Sequence, residues 1–291
     1  MSFHDQKEQD DRGENASQPE QRKEGKYDPV WRAYLETGSF PEDTPSPWYK
    51  SGKLRPWVRR LPAEPRCRIC YYPFEGIGGA ISRHLLDLRP SPGNPYFCNQ
   101  CERMAEKYPG GAEVEATILF ADVRGSTSLA ENMPPADFSR LIKRFYAVST
   151  RVLFDTNAMV EKLVGDAVTA YYTRGFAGPK HAKIAVIAAR RILKATGYGG
   201  PGEPWVPVGI GLHTGIAYVG TVTSGTGVSN ISILGDTANI GARLASLAGP
   251  GEVYLSQATA QQAGLETSRL QHERLTLKGR TQPVDAWVLS A

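Results

Sequence analysis

From about residue 115 onward the chain alternates between short apolar runs and amphipathic stretches; before that point the pattern is much less regular. The runs at 115–123, 158–163, 167–172, 206–220 and 229–234 predict strands, as do 252–255, 272–277 and 284–289. Helices are expected at 135–156, 180–196, 237–248 and 256–263. The second of these is the best patterned. Ile184, Ile187, Ala188 and Ile192 fall at helical spacing, with Lys183, Arg190, Arg191 and Lys194 around them. Strands and helices in this order predict an α/β (α+β) sandwich with a mostly antiparallel sheet. Upstream, short helices are expected at 31–36 and 102–108, and Pro-Gly-Gly at 109–111 reads as a hinge.

Four segments follow. Residues 1–27 hold only Met1, Phe3, Ala16 and Tyr27 as apolar or aromatic positions, too few to offset the entropy of ordering, so a disordered tail is predicted. Residues 28–65 read as a linker with one short helix. Its proline-rich part carries Trp48 and Trp57 among Lys50, Lys53, Arg55, Arg59 and Arg60. Such a segment packs its tryptophans on a neighbouring domain, the preferred reading, or grips nucleic acid or an acidic membrane surface. Residues 66–108 form a cysteine-containing module, and 112–291 the large domain.

Composition changes this picture little. A chain of 291 residues with 41% hydrophobic content suits one large domain and a smaller one, and a net charge of +4 implies neither nucleic acid nor membrane. No run approaches the roughly 18 apolar residues of a membrane span, and no apolar leader is seen at the N-terminus. A cytoplasmic protein is the expectation.

The four cysteines stand in two pairs, Cys67-Arg-Ile-Cys70 and Cys98-Asn-Gln-Cys101, with 27 residues between. Paired CxxC knuckles offer four thiolates to a tetrahedral Zn²⁺ or, alternatively, an iron–sulfur cluster. Structural disulfides are disfavoured in a cytoplasmic protein. Four unliganded thiols would make the spacing accidental. The intervening segment is rich in Gly and Pro, so a metal would stabilise a module with little core of its own. His84 reads as a surface histidine rather than a fifth ligand.

Two carboxylates occupy costly places. Asp122 interrupts the apolar run 118–123, and Asp166 follows Gly165 in a tight turn between two strands. Asp166 alone could be a turn residue. Together, two carboxylates at the ends of adjacent strands could clamp Mg²⁺ against a polyphosphate.

The blocks Phe120-Ala-Asp122-Val-Arg-Gly-Ser-Thr-Ser-Leu129, Glu161-Lys-Leu-Val-Gly-Asp166 and Leu234-Gly-Asp-Thr-Ala-Asn239-Ile-Gly-Ala-Arg243-Leu resemble the signature blocks of class III nucleotidyl cyclases, in the family's order. The resemblance spans 114–291. It implies a ferredoxin-like βααββαβ core and conversion of a nucleoside triphosphate to its 3′,5′-cyclic monophosphate and pyrophosphate. It also implies two Mg²⁺ or Mn²⁺ ions on Asp122, Asp166 and the carbonyl of Val123. Asn239 and Arg243, four apart on a helix with Asp236 as its expected cap, would orient the ribose and stabilise charge on the α-phosphate; otherwise they form a solvated face. Lys278 matches the family's phosphate-binding lysine or is a surface residue. Lys162 stands where adenylate-forming members contact adenine, and Ser232 replaces the commoner Asp. This favours ATP over GTP, and hence an adenylate cyclase over a guanylate cyclase. Ser232 also resembles the bicarbonate-sensitive subgroup, so bicarbonate, or redox state through the cysteines, is a candidate effector. The family's sites are shared between subunits, which implies a homodimer. Two rivals are a cyclase-fold regulator that binds nucleotide without turnover, and a nucleic-acid-binding zinc protein with cyclase output.

Overall fold

The computed structural model describes residues 25–42, 44, 65–67, 69–91, 97–223, 229–276 and 283–291. The expectations for the tail 1–24, for Trp48, Trp57 and their basic neighbours, and for Lys278 fall outside these residues.

Three helices precede the sheet: α1 (Asp28–Thr37), α2 (Gly76–Leu86) and α3 (Asn99–Lys107). The long strand β1 (Gly111–Val123) leads into α4 (Ser126–Asn132) and α5 (Pro135–Asp155). The hairpin β2 (Met159–Val164) and β3 (Ala167–Thr173) follows, then α6 (Arg174–Ala177), α7 (His181–Ala195), β4 (Val208–Thr223) and β5 (Ser229–Leu234). The chain ends with α8 (Asp236–Leu247), β6 (Glu252–Ser256), α9 (Gln257–Ala263), β7 (Gln271–Leu275) and β8 (Val284–Ser290). The strand order is β2-β3-β1-β4-β6-β8-β7, with β5 paired to β4, and among the described residues only the β4–β6 pair is parallel. The expected α+β sheet is therefore observed, with β2-β3-β1-β4 as its ferredoxin-like half.

Alternation along β1 explains the layers, since successive side chains point to opposite faces. Leu119, Ala121 and Val123 face one way, onto α5, α7 and α9, in a core with Phe145, Leu153 and Ile192. Ala116 and Ile118 face the other way. That second core is continuous with the cysteine module. Cys67, Cys70, Cys98 and Cys101 pack in one cluster with Trp31, Tyr34, Ile118, Tyr171, Val219 and Ile233.

The expected hinge at 109–111 is consequently absent. Gly110 donates to the Thr221 hydroxyl at 2.8 Å, and the Thr221 amide donates back to Gly110 O at 2.8 Å. The Gly111 amide donates to Asp28 Oδ1 at 2.9 Å, and Trp31 Nε1 donates to Tyr108 O at 3.1 Å. A Cβ on Gly110 would lie 2.7 Å from the Trp31 ring. These glycines allow close packing rather than motion. The supposed linker begins with a helix, α1, whose Trp31, Tyr34 and Leu35 are buried in the shared core. Between the cysteine pairs, a stretch read as Gly/Pro-rich contains the 11-residue helix α2.

Candidate active site

Asp122 is the penultimate residue of β1, paired with Ala167 on one side and Gly209 on the other. Its side chain is 32% exposed. Gly165 takes a left-handed φ of 64°, which turns β2 into β3 and delivers Asp166 beside the end of β1. There the Val123 amide donates to Asp166 O at 3.2 Å, and the Tyr146 hydroxyl donates to Gly165 O at 2.8 Å. The backbone of Asp166 is thus bonded to β1 at Val123, the residue after Asp122. Arg124 ion-pairs with Asp122 and also donates to Ser246 O at 3.4 Å. Burial lowers its pKa, and the charge of Asp166 opposes that shift. Asp122 and Asp166 are both half-exposed, and carboxylate oxygens are the donor type a hard divalent cation takes.

Lys162 lies on β2 with its side chain 54% exposed, and Ser232 is buried on β5. The two strands meet through Glu161, whose Oε1 accepts from the Ile233 amide at 3.3 Å and lies 3.4 Å from Lys162 Nζ. Sequence reasoning gave Glu161 and Arg124 no role. The signal available was a charge of opposite sign next to a motif residue.

Helix α8 carries Asn239, exposed, and Arg243, half-buried. Neither side chain makes a hydrogen bond or ion pair among the described residues. The expected cap is corrected: Gly235, at φ 121°, occupies the N-cap position, no side chain caps the helix, and Asp236 lies in its first turn. Gly211 lets α8 lie directly on β4, because a Cβ there would collide with the backbone of Ala245 and Gly241. The helix that carries the asparagine and arginine is thus seated directly on β4.

The four cysteines are buried, with their Sγ atoms all within 4.8 Å of one another. Cys70 and Cys98 Sγ are 3.7 Å apart. The Cys98 amide donates to Cys67 Sγ at 3.2 Å, and the Cys101 amide to Cys98 Sγ at 3.3 Å. Burial opposes ionisation of Cys67, yet hydrogen bonds from Cys101, Cys70 and Cys98 bring its pKa well below the ordinary thiol range. Cys101 is pushed well up, by Cys67 first and then by Cys70, Cys98 and burial. His84 is exposed on α2, outside the cluster.

A family model described as "Adenylate and Guanylate cyclase catalytic domain" matches residues 111–291. An adenylate cyclase of Anabaena cylindrica is 30% identical over 137 residues, 45% of this chain and 27% of that protein. An uncharacterised Mycobacterium tuberculosis protein is 30% identical over 179 residues, 60% of this chain and 32% of its own length. The chain thus spans about a third or less of these relatives. Among solved structures, the guanylyl cyclase Cya2 aligns with a TM-score of 0.55 at 23% identity, covering 62% of this chain and 93% of that one. The adenylyl cyclase CyaB from P. aeruginosa aligns at 0.53 and 22% identity, covering 62% and 96%. These structural likenesses concern the fold. The cysteine module lies outside the family match.

Proposed function

Since the chain belongs to the adenylate and guanylate cyclase catalytic-domain family, we propose that it is an adenylate cyclase acting as a homodimer, with ATP as substrate. The observation that carries this is the backbone bond that sets Asp166 on the end of β1, next to Asp122. In the proposed reaction the ribose 3′-oxygen attacks the α-phosphorus. The bond to the bridging oxygen breaks, pyrophosphate leaves with that electron pair, and the hydroxyl proton passes to solvent. Asp122, Asp166 and the Val123 carbonyl would hold two Mg²⁺ or Mn²⁺ ions, which when bound acidify the hydroxyl and neutralise the polyphosphate. Arg124 must release Asp122 for that binding. Asn239 orients the ribose, and Arg243 meets charge on the α-phosphate.

Two features support a shared site. Among the described residues, the Asn239 and Arg243 side chains have no hydrogen-bond or ion-pair partner. A groove of about 670 Å³ beside β4, β5 and α8 exposes Ile216, Val222 and Leu234, apolar residues that a second copy would cover. Lys162 supports ATP, because an ammonium donates to adenine N1 and cannot accept from guanine N1–H. Cyclic AMP formation from ATP, dependent on Mg²⁺ or Mn²⁺ and much slower with GTP, is the expected assay result. Lys162→Glu should erode that preference. Equal turnover of GTP by the unaltered protein refutes the base assignment.

At the cysteines we infer one Zn²⁺. With Zn–S near 2.3 Å, the edge of a thiolate tetrahedron is about 3.8 Å, and the 3.7 Å Cys70–Cys98 separation supports it. A four-iron cluster would hold each thiolate on a different iron and spread them further. Metal analysis with a visible spectrum tests this; zinc without colour is expected, and brown absorbance overturns it.

A further inference from the structure

We propose that Glu161 is a positioning residue for nucleotide-base selection, fixing Lys162 and the Ser232 strand against each other. The inference rests on the reading of Lys162 and Ser232 as the base-contacting pair. It starts from the register of the β2–β3 hairpin. Val160 pairs with Ala170 and Lys162 with Thr169, the next residue along β3, so Glu161 has no partner of its own. One extra residue in one strand is a β-bulge, which re-aims the side chains after it.

The consequence is a change of face. Val160 and Ala170 both lie in the core beneath α5 and α7. Strict alternation would send Lys162 into that same core, where an ammonium without a partner is costly. With the extra residue, Lys162 shares the face of Met159 and Tyr171, the face toward β5. Glu161 turns to that side too. Its side chain is only 5% exposed, and its single oxygen Oε1 serves both Lys162 Nζ and the Ile233 amide. Ile233 is the residue after Ser232. One buried carboxylate therefore links the two positions that read the base.

The link has a physical use. A lysine side chain has four rotatable bonds and loses much rotamer freedom when it engages a ligand. An anion within reach of the ammonium restricts it before the base arrives, and the bond to Ile233 sets the spacing to Ser232. Glutamine in place of Glu161 would still accept from the Ile233 amide, but it would lose the charge that holds Lys162. Aspartate would keep the charge and shorten the reach.

The test measures steady-state kinetics with ATP and GTP for the unaltered 291-residue chain, Glu161→Gln, Glu161→Asp, Lys162→Ala and the double variant Glu161→Gln/Lys162→Ala. Loss of a charge-assisted contact predicts that Glu161→Gln raises KM for ATP about tenfold, with a smaller fall in kcat. GTP should be less affected, so ATP-over-GTP discrimination falls, and Glu161→Asp should retain part of it. The double variant should discriminate no worse than Lys162→Ala alone, because both act through one ammonium. Binding of a non-hydrolysable ATP analogue, followed by calorimetry, supplies the same comparison should turnover be too low in any variant. Equal losses of kcat for both nucleotides, together with a lowered melting temperature, would make Glu161 a merely structural residue and overturn the inference. Unchanged discrimination in Glu161→Gln, alongside lost discrimination in Lys162→Ala, overturns it as well. If Lys162→Ala itself leaves discrimination unchanged, the base-selection reading fails, and this inference falls with it.

Discussion

Stripping the cysteine centre should destabilise the whole molecule rather than one end of it. The perturbation is Cys98→Ala, or a chelator added to the unaltered protein. Cys98 is fully buried, its sulfur accepts from the Cys101 amide, and its own amide donates to Cys67 Sγ. An ion that binds only the folded state stabilises it by mass action, about 2.7 kcal/mol when free metal stands at a hundredfold its dissociation constant. Whether that energy reaches the sheet depends on the contacts between them. Those contacts are a shared apolar cluster from the cysteines to Ile118, Tyr171 and Ile233, and a bond from Tyr34 Oη to Ile69 O at 3.2 Å. The bonds from Trp31 Nε1 to Tyr108 O and from the Gly111 amide to Asp28 Oδ1 add to them. For one cooperative unit of this size, the loss lowers the melting temperature by about 5 °C. Differential scanning calorimetry with parallel metal analysis reads it directly, and a single shifted transition is expected. A main transition unmoved after the metal has gone would refute the coupling and restore an independent module.

Two further predictions concern buried groups. The Tyr171 hydroxyl is buried and has no hydrogen-bond partner among the described residues, so Tyr171→Phe should stabilise the protein by about 1 kcal/mol in chemical denaturation; clear destabilisation would reveal a partner. His181 has its pKa lowered by burial, an effect that Glu115 opposes without reversing and Arg174 reinforces. The folded protein therefore keeps His181 neutral where the unfolded chain, titrating near 6.5, takes up a proton, and stability falls as pH drops below about 6.5. His181→Gln, which can still bond Thr117, should flatten that acid limb in melting curves; an unchanged limb would assign it to other groups.

The parts of this molecule that sequence reveals are those where local pattern and tertiary role coincide. Asp122 is conspicuous because a charge in an apolar run needs a reason, and the 180–196 helix because its apolar positions repeat at 3.6 residues. The misreadings have a common cause in glycine. In α2 the start Gly-Ile-Gly-Gly lacks helix propensity, yet Gly79 is buried where a Cβ would collide with the backbone of Phe74. At 109–111 glycine suggests freedom, while the structure uses it to bring Trp31 and β4 close. Gly235 caps α8 by its backbone, displacing the more obvious Asp236. Glu161 stayed hidden because a bulge breaks the period-two pattern only in the pairing with β3, which the sequence of one strand does not display.

The central claim, an adenylate cyclase whose site is assembled from two copies, is tested most directly by mixing two inactive variants. Asp122→Ala removes the metal-binding face, and Asn239→Ala with Arg243→Ala removes the opposite one. Each alone should lose activity by several orders of magnitude, since these groups act mainly in the transition state. A mixed dimer then has one site damaged on both faces and one site intact. Random exchange makes half the dimers mixed, so about a quarter of the original cyclic AMP formation should return. A mixture that stays inactive while subunit exchange is demonstrated would contradict the shared site.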